Sequence, residues 1–173
     1  MAPKLRVGLF AFVASLALDW FTKHLVVTHL DFSDKVEVIE GFFYLTHVRN
    51  PGAAFGVFAD APERLRLSFF IGISLLALGI VVSFFRKLAP GDRLSALALG
   101  LISGGAVGNL INRIKPPHEV IDFLHFKLWQ GYAWPDFNLA DSFIVVGVGL
   151  LVLELLASEG ESRAGAEPDE PLA

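Results

Sequence analysis

Residues 67–85, LSFFIGISLLALGIVVSFF, contain no charged side chain, and neither do residues 94–112, LSALALGLISGGAVGNLIN. Nineteen residues in a helix rise about 28 Å, close to the ~30 Å hydrocarbon core of a bilayer. A soluble helix needs a polar stripe to face water, and 67–85 has none, which sets the alternative of a soluble helical core aside. Two further stretches follow the same pattern with marked exceptions. Residues 7–27 are apolar apart from Asp19, Lys23 and His24, and residues 138–157 are apolar apart from Asp141 and Glu154. The expected fold is an all-α polytopic membrane protein with four transmembrane helices at about 7–27, 67–85, 94–112 and 138–157.

Composition agrees. The chain of 173 residues is 54% hydrophobic and only 18% charged, where ~25% charged is typical of soluble domains. Its net charge of −4 sits entirely in residues 159–173, where Arg163 faces Glu159, Glu161, Glu167, Asp169 and Glu170; the rest balances at 13 basic against 13 acidic residues. A neutral, apolar body lacks the basic patch of a nucleic-acid binder. The absence of Cys excludes disulfide scaffolds, Cys-based zinc sites and thiol nucleophiles. Residues 1–158 therefore read as one membrane-embedded domain, and 159–173 as a disordered acidic cytoplasmic tail.

Lys4 and Arg6, the uncharged run 7–18 and Ser15-Leu16-Ala17 also have the form of a cleavable signal peptide. The apolar pattern resumes beyond Ala17 through Phe21, Leu25, Val26 and Val27, which favours an uncleaved first span. Lys4 and Arg6 at the N-terminus, and Arg86, Lys87 and Arg93 in the short loop 86–93, place both termini in the cytoplasm. The loops 28–66 and 113–137 are then outside. In the first of these, Val36-Glu37-Val38 and Phe42–Val48, separated by Glu40-Gly41, read as short strands or a hairpin, followed by a turn at Asn50-Pro51-Gly52. In the second, Pro116-Pro117 stops the third helix. Phe123, Phe126, Trp129, Tyr132, Trp134 and Phe137 then form an aromatic cluster suited to the membrane–water interface.

Charged groups within spans cost about 2.5–3.5 kcal/mol each on insertion scales and mark functional positions. Asp19 and Lys23 stand at i, i+4 on one helix face, acid first; they read either as a structural ion pair or as support for an active site. Gly100, Gly104 and Gly108 repeat at spacing four, a pattern that lets helices approach closely. Asn112 continues that row, and Asn109 and Arg113 form another i, i+4 pair. Asp141 follows Asn138 as an N3 acid follows an N-cap, an analogue of the capping box at a helix start that also favours an acid through its dipole. Asp122, in Val120-Ile121-Asp122-Phe123-Leu124, has no comparable structural explanation. If the chain folds back so that Asp122 and Asp141 meet, their ionisations split and one keeps a proton. Such a pair can deprotonate a water and protonate a leaving amine. Other chemistries fit poorly: the five His form no i, i+4 pair and no His-Glu-x-x-His, Ser103-Gly104 is not a Gly-x-Ser-x-Gly elbow, and no phosphate-cradling Gly-x-x-x-x-Gly-Lys is present. A small transporter would need polar groups across the bilayer, but they gather near one face, with Glu154 alone near the other. A non-catalytic scaffold built on the glycine-rich span is the remaining alternative.

Four strings taken together, Asn50-Pro51-Gly52-Ala53-Ala54-Phe55-Gly56, Gly104–Arg113, Ile121-Asp122-Phe123 and Phe137–Ser142, in register with Asp19-x-x-x-Lys23, resemble bacterial lipoprotein signal peptidase, also called signal peptidase II. The resemblance covers roughly residues 5–158. It implies an aspartyl endopeptidase of the bacterial inner membrane, active near the periplasmic face, that cleaves prolipoproteins just before a diacylglyceryl-modified Cys. It implies Asp122 and Asp141 as the catalytic pair, and Asn50, Gly52, Asn109, Arg113 and Asn138 as residues lining the site, with Asp19 and Lys23 as characteristic polar positions. It further implies a small extracytoplasmic β-rich cradle over the site, no metal or cofactor, and a monomer. Its partners would be prolipoprotein substrates, membrane lipids and globomycin-type inhibitors, with no nucleic acid. Two positions depart from the family pattern. Trp20 stands where Gln is common, and Asn112 stands where Asp often precedes the third-span Arg.

Overall fold

The computed structural model describes residues 2–52, 61–129 and 131–164, with side chains described as far as Ser158. Four helices carry the chain: α1 Pro3–His29, α2 Glu63–Lys87, α3 Arg93–Ile114 and α4 Leu139–Ala164. All four are long and apolar enough to cross a membrane. Each contains the span read from the sequence and extends it by a few residues at one or both ends, apart from Asn138, which caps α4 instead of joining it. Pro3 opens α1, where a missing N–H costs nothing. Glu63 in the first turn of α2 and Arg86 and Lys87 in its last turn complement the helix dipole. α4 continues to Ala164, past the point where the sequence reading ended the domain, so residues 159–164 are helical. Residues 165–173 of the expected tail lie outside the described residues, as do Ala53, Ala54, Phe55 and Gly56 of the Asn-Pro-Gly string.

The bundle is built around α3, which contacts each of the other helices. Its glycines explain how. A Cβ on Gly100 would meet the Gly8 carbonyl oxygen at 2.5 Å, one on Gly104 the Phe12 carbonyl oxygen at 2.7 Å, and one on Gly108 the Asp19 carboxylate at 2.4 Å. The predicted row is therefore the seam with α1. The opposite side meets α4: Gly105 lies under the Ala140 carbonyl oxygen, and Gly147 of α4 lies against Ala98 and Ile102. Backbone-to-backbone approach of this kind is how membrane helices gain contact where lipid removes the hydrophobic driving force. α2 packs mainly on α3, through Val81 and Phe85 against Leu99 and Ile102, with Phe85 also lying over Gly8 of α1. The outward side chains are apolar, with Phe10, Leu76 and Val145 between 65% and 74% exposed, as a lipid-facing surface requires. At the other end from the strands, Lys4 donates to the Leu88 carbonyl in the α2–α3 turn. Glu154, read from sequence as a lone acid, is not alone: Ser95 of α3 donates its hydroxyl to it.

Three antiparallel strands, in the order β1–β2–β3, sit against the end of the bundle formed by the C-termini of α1 and α3. β1 is Lys35–Ile39, β2 Phe43–Asn50 and β3 Val120–Phe126. The β1–β2 hairpin is the one expected. It turns at Gly41, whose φ of +68° favours glycine, with the Gly41 N–H donating to Glu37 at 2.7 Å. β3 is the element that sequence reading did not anticipate. It pairs with β2 across a bulge between Leu45 and Val48, setting Val48 opposite Asp122. The aromatic cluster divides. Phe123 is buried, and Phe126 stacks between Phe43 and Phe137 at 4.7 and 5.8 Å, whereas Trp129, Tyr132 and Trp134 stay exposed.

Replacing Gly104 by Ala is expected to force α1 and α3 apart and cost about 1–3 kcal/mol. Gly149, where an added methyl group would have nothing within 4 Å, should accept Ala without loss. Thermal unfolding of the two purified variants in detergent checks the contrast.

Candidate active site

The first turn of α4 sets the geometry. Asn138 precedes the helix, its Oδ1 accepting from the Asp141 N–H at 3.1 Å while its own N–H donates to Asp141 Oδ2 at 3.2 Å. This is the reciprocal capping box that the spacing predicts. The cap does more than start a helix. Asn138 is fully buried, and its side-chain amide donates to Asp122 Oδ1 at 2.6 Å. One residue thus holds both acids, through its backbone and its side chain.

Asp122 reaches this point from the middle of β3. It is 2% exposed, and its second oxygen accepts from Asn50 Nδ2 at 2.9 Å. Asn50 ends β2, and its own Oδ1 accepts from the Gly52 N–H at 2.9 Å, fixing the turn. Burial pushes the Asp122 carboxyl up to about 6, and the nearby Asp141 adds to the rise, while the Asn50 and Asn138 amides oppose it. Those amides stabilise the charged form; desolvation outweighs them.

Behind the pair lies a buried polar layer. Asn109 of α3 donates to Asp141 Oδ1 at 2.7 Å and accepts from Lys23 Nζ at 2.8 Å. Lys23 also bonds Asp19 at 2.8 Å, and Asp19 takes the Ala140 N–H at 3.0 Å. The i, i+4 pair of the first span is a buried ion pair that bonds Asn109 and the backbone of the first turn of α4. Arg113 donates to the Asn109 and Gly52 carbonyls at 3.3 and 3.5 Å, and its guanidinium lies 5.1 Å from the Phe70 ring.

A cavity of about 330 Å³ opens onto Asp122 and Asp141, with Asn50, Gly52, Asn109 and Arg113 on its wall. Of the nine residues singled out in the sequence, these six line it. Asn138, Asp19 and Lys23 stand behind them. Sequence reasoning missed Asp136, which also lines the cavity beside Trp134 and Phe137; its place two residues before the capping Asn138 was the available signal. The two departures from the family pattern meet in a separate groove of about 200 Å³, which reaches Asp19 and Lys23 from another side. There Trp20 stacks on His24 at 5.6 Å, and Asn112 Oδ1 is buried with no hydrogen-bond partner among the described residues.

The arrangement can move protons. Two carboxylates share one cavity, one of them with a raised pKa, and every oxygen of the pair is held by an amide. That suits general acid–base attack of water on a carbonyl.

Residues 11–157 match the family model described as signal peptidase (SPase) II. The chain is 45% identical over 159 residues to the lipoprotein signal peptidase of Geobacter sulfurreducens, covering 92% of this chain and 97% of that protein. It is 37% identical over 151 residues to the lipoprotein signal peptidase of Listeria monocytogenes, covering 87% and 94%. Among solved structures, a bacterial membrane enzyme determined by the in meso method at 2.3 Å resolution superposes with a TM-score of 0.78 at 32% identity, over 95% of this chain and 94% of that one.

Lys23→Met removes the partner of a buried carboxylate and is expected to destabilise the bundle by about 3–5 kcal/mol. The double change Asp19→Asn with Lys23→Met, which leaves no unpaired charge, should recover much of that loss. Comparison of their melting temperatures in detergent with that of the unmodified protein provides the check.

Proposed function

The chain belongs to the signal peptidase II family, and on that premise we propose that it is an aspartyl endopeptidase that removes signal peptides from diacylglyceryl-modified prolipoproteins, cutting just before the lipidated Cys. The observation that carries this reading is the joint hold of Asn138 on Asp122 and Asp141 at one cavity. Two acids from distant segments are brought to a single space and differently surrounded, as a reaction needing one acid and one base requires.

In the proposed reaction Asp122 begins protonated and Asp141 ionised. Asp141 takes a proton from a water as its oxygen attacks the scissile carbonyl carbon, and Asp122 gives its proton to the carbonyl oxygen. The tetrahedral intermediate then collapses: Asp141 passes its proton to the leaving amine, the C–N bond breaks, and the hydroxyl proton returns to Asp122. Asn50, Asn109 and Asn138 keep the carboxylates in place, and Arg113 steadies the Gly52 turn against α3. The two acids carry every proton transfer, so the scheme calls for neither metal nor cofactor.

The position of the cavity supports the substrate class. A diacylglyceryl-modified Cys keeps its acyl chains in the bilayer, so its scissile bond lies at an interface, and the acids lie where the sheet meets the helix ends. Lys4, Arg6, Arg86, Lys87 and Arg93 flank the other helix ends, which by the positive-inside rule supports both termini on the cytoplasmic side; the proposed setting is the bacterial inner membrane, with the cavity near its periplasmic face. The same reading carries the remaining partners: membrane lipids around a monomer, and globomycin-type inhibitors at the cavity.

Asp122→Asn and Asp141→Asn should each abolish cleavage of a diacylglyceryl-modified prolipoprotein by purified, folded protein; substantial processing by either would refute the pair. The direction of pH dependence follows from Asp122. Because its carboxyl must carry a proton at the start and is pushed up to about 6, the rate should fall as pH rises through that value. A steady-state series from about pH 5 to 8 that stays flat, with chemistry limiting, would contradict the assignment.

A further inference from the structure

Asp136 lines the cavity yet bonds none of the residues described above. Its Oδ2 accepts from the Thr46 hydroxyl at 2.9 Å, and its Oδ1 pairs with His125 Nδ1. The other ring nitrogen of His125, Nε2, lies 3.0 Å from Lys35 Nζ. An ammonium group can only donate, so Nε2 accepts, Nδ1 carries the hydrogen, and that hydrogen goes to Asp136. Tyr44 backs the group. Its ring meets His125 edge-on at 5.8 Å and lies under Lys35 at 4.1 Å and Lys127 at 4.9 Å. One chain of bonds therefore joins β1 through Lys35, β3 through His125, the segment 133–137 through Asp136, and β2 through Thr46.

That segment leads directly to Asn138. Phe137, the residue between, is locked to β3: its N–H donates to the Leu124 carbonyl at 3.2 Å, and the Leu124 N–H donates back at 2.9 Å. The side chains of His125 and Asp136 are 16% and 17% exposed. Apolar residues could join strands at that burial without desolvating charge, so a polar chain at the cavity wall fits a role in fixing direction better than one in bulk stability.

We propose that the His125–Asp136 pair is a positioning device for the reaction, holding segment 133–137 so that Asn138 keeps its side-chain amide on Asp122 and its backbone on Asp141. The proposal rests on the acid pair proposed above. Neither His125 nor Asp136 touches the reacting atoms in this scheme; both act through Asn138.

The test uses the full chain and a diacylglyceryl-modified prolipoprotein. Asp136→Ala and His125→Ala should each lower kcat about tenfold, with KM little changed, since a small misplacement of catalytic groups is enough. The double variant should be no worse than either single one, as expected of residues acting as a unit. Asp136→Asn should restore most of the rate, because its amide can accept from the Nδ1 hydrogen and donate to Thr46. The distinguishing readout is the pH profile. A loosened Asn138 amide stabilises the Asp122 carboxylate less, so the fall in rate should move to higher pH. If an alanine variant fails to fold, Asp136→Val, which suits an extended segment, replaces it. Unchanged kcat and pH profile in the variants, with Asp122→Asn inactive, would overturn the positioning role and leave the acid pair standing. A lower kcat with an unmoved profile would mark general damage and overturn it as well. Cleavage by Asp122→Asn would remove the acid pair itself.

Discussion

A charged group at the apolar end of a helical bundle must be partnered or neutralised, because desolvation costs more than almost any packing can return. Here that constraint is met by a single hydrogen-bonded series. It runs from Asp19 to Lys23, to Asn109, to Asp141, to Asn138, to Asp122 and to Asn50. Each link satisfies one group and orients the next, so the series draws α1, α3, the start of α4, β3 and the end of β2 to one place. In a low-dielectric setting such a network is either fully satisfied or very costly, which makes the arrangement of the site and the arrangement of the fold one problem.

The glycines of α3 are the second requirement. Lys23 and Asn109 can meet only if α1 and α3 nearly touch, and Gly104 and Gly108 remove the side chains that would prevent it. Gly105 does the same toward α4 at Ala140, the residue whose N–H binds Asp19. Close packing and polar satisfaction therefore occur at the same level of the bundle. α2 has no part in the series and packs on the outside of α3, a position consistent with its wholly uncharged span.

Much of this was legible in the chain. Four spans follow from where charge is missing, because bilayer thickness fixes helix length. The hairpin follows from alternating β-branched and aromatic residues around Glu40-Gly41. The capping role of Asn138 and Asp141 follows from spacing alone. The third strand was harder to read. Val120–Phe126 shows no clean alternation of apolar and polar residues, and the segments it pairs with edge to edge, β2 and residues 133–137, are joined to it by no hairpin signal in the sequence. The aromatic cluster looked uniform for a similar reason, as composition does not separate rings that stack on a sheet from rings that face outward. Ser95 and Glu154 are far apart in sequence, so nothing local pairs them.

Sequence by itself determined the membrane class, the spans, the seam of small residues and the identities of the polar groups, because each depends on local spacing against a fixed length or a helical period. Tertiary structure decided which of those polar groups share a space. Asp122 and Asp141 are separated by a strand and an aromatic loop, and no spacing rule brings them together. They meet because β3 pairs with β2 and Phe137 returns along β3, which sets the buried amide of Asn138 between the two carboxylates. Asp136, inconspicuous in a string of aromatics, lines the cavity through that same return of the chain.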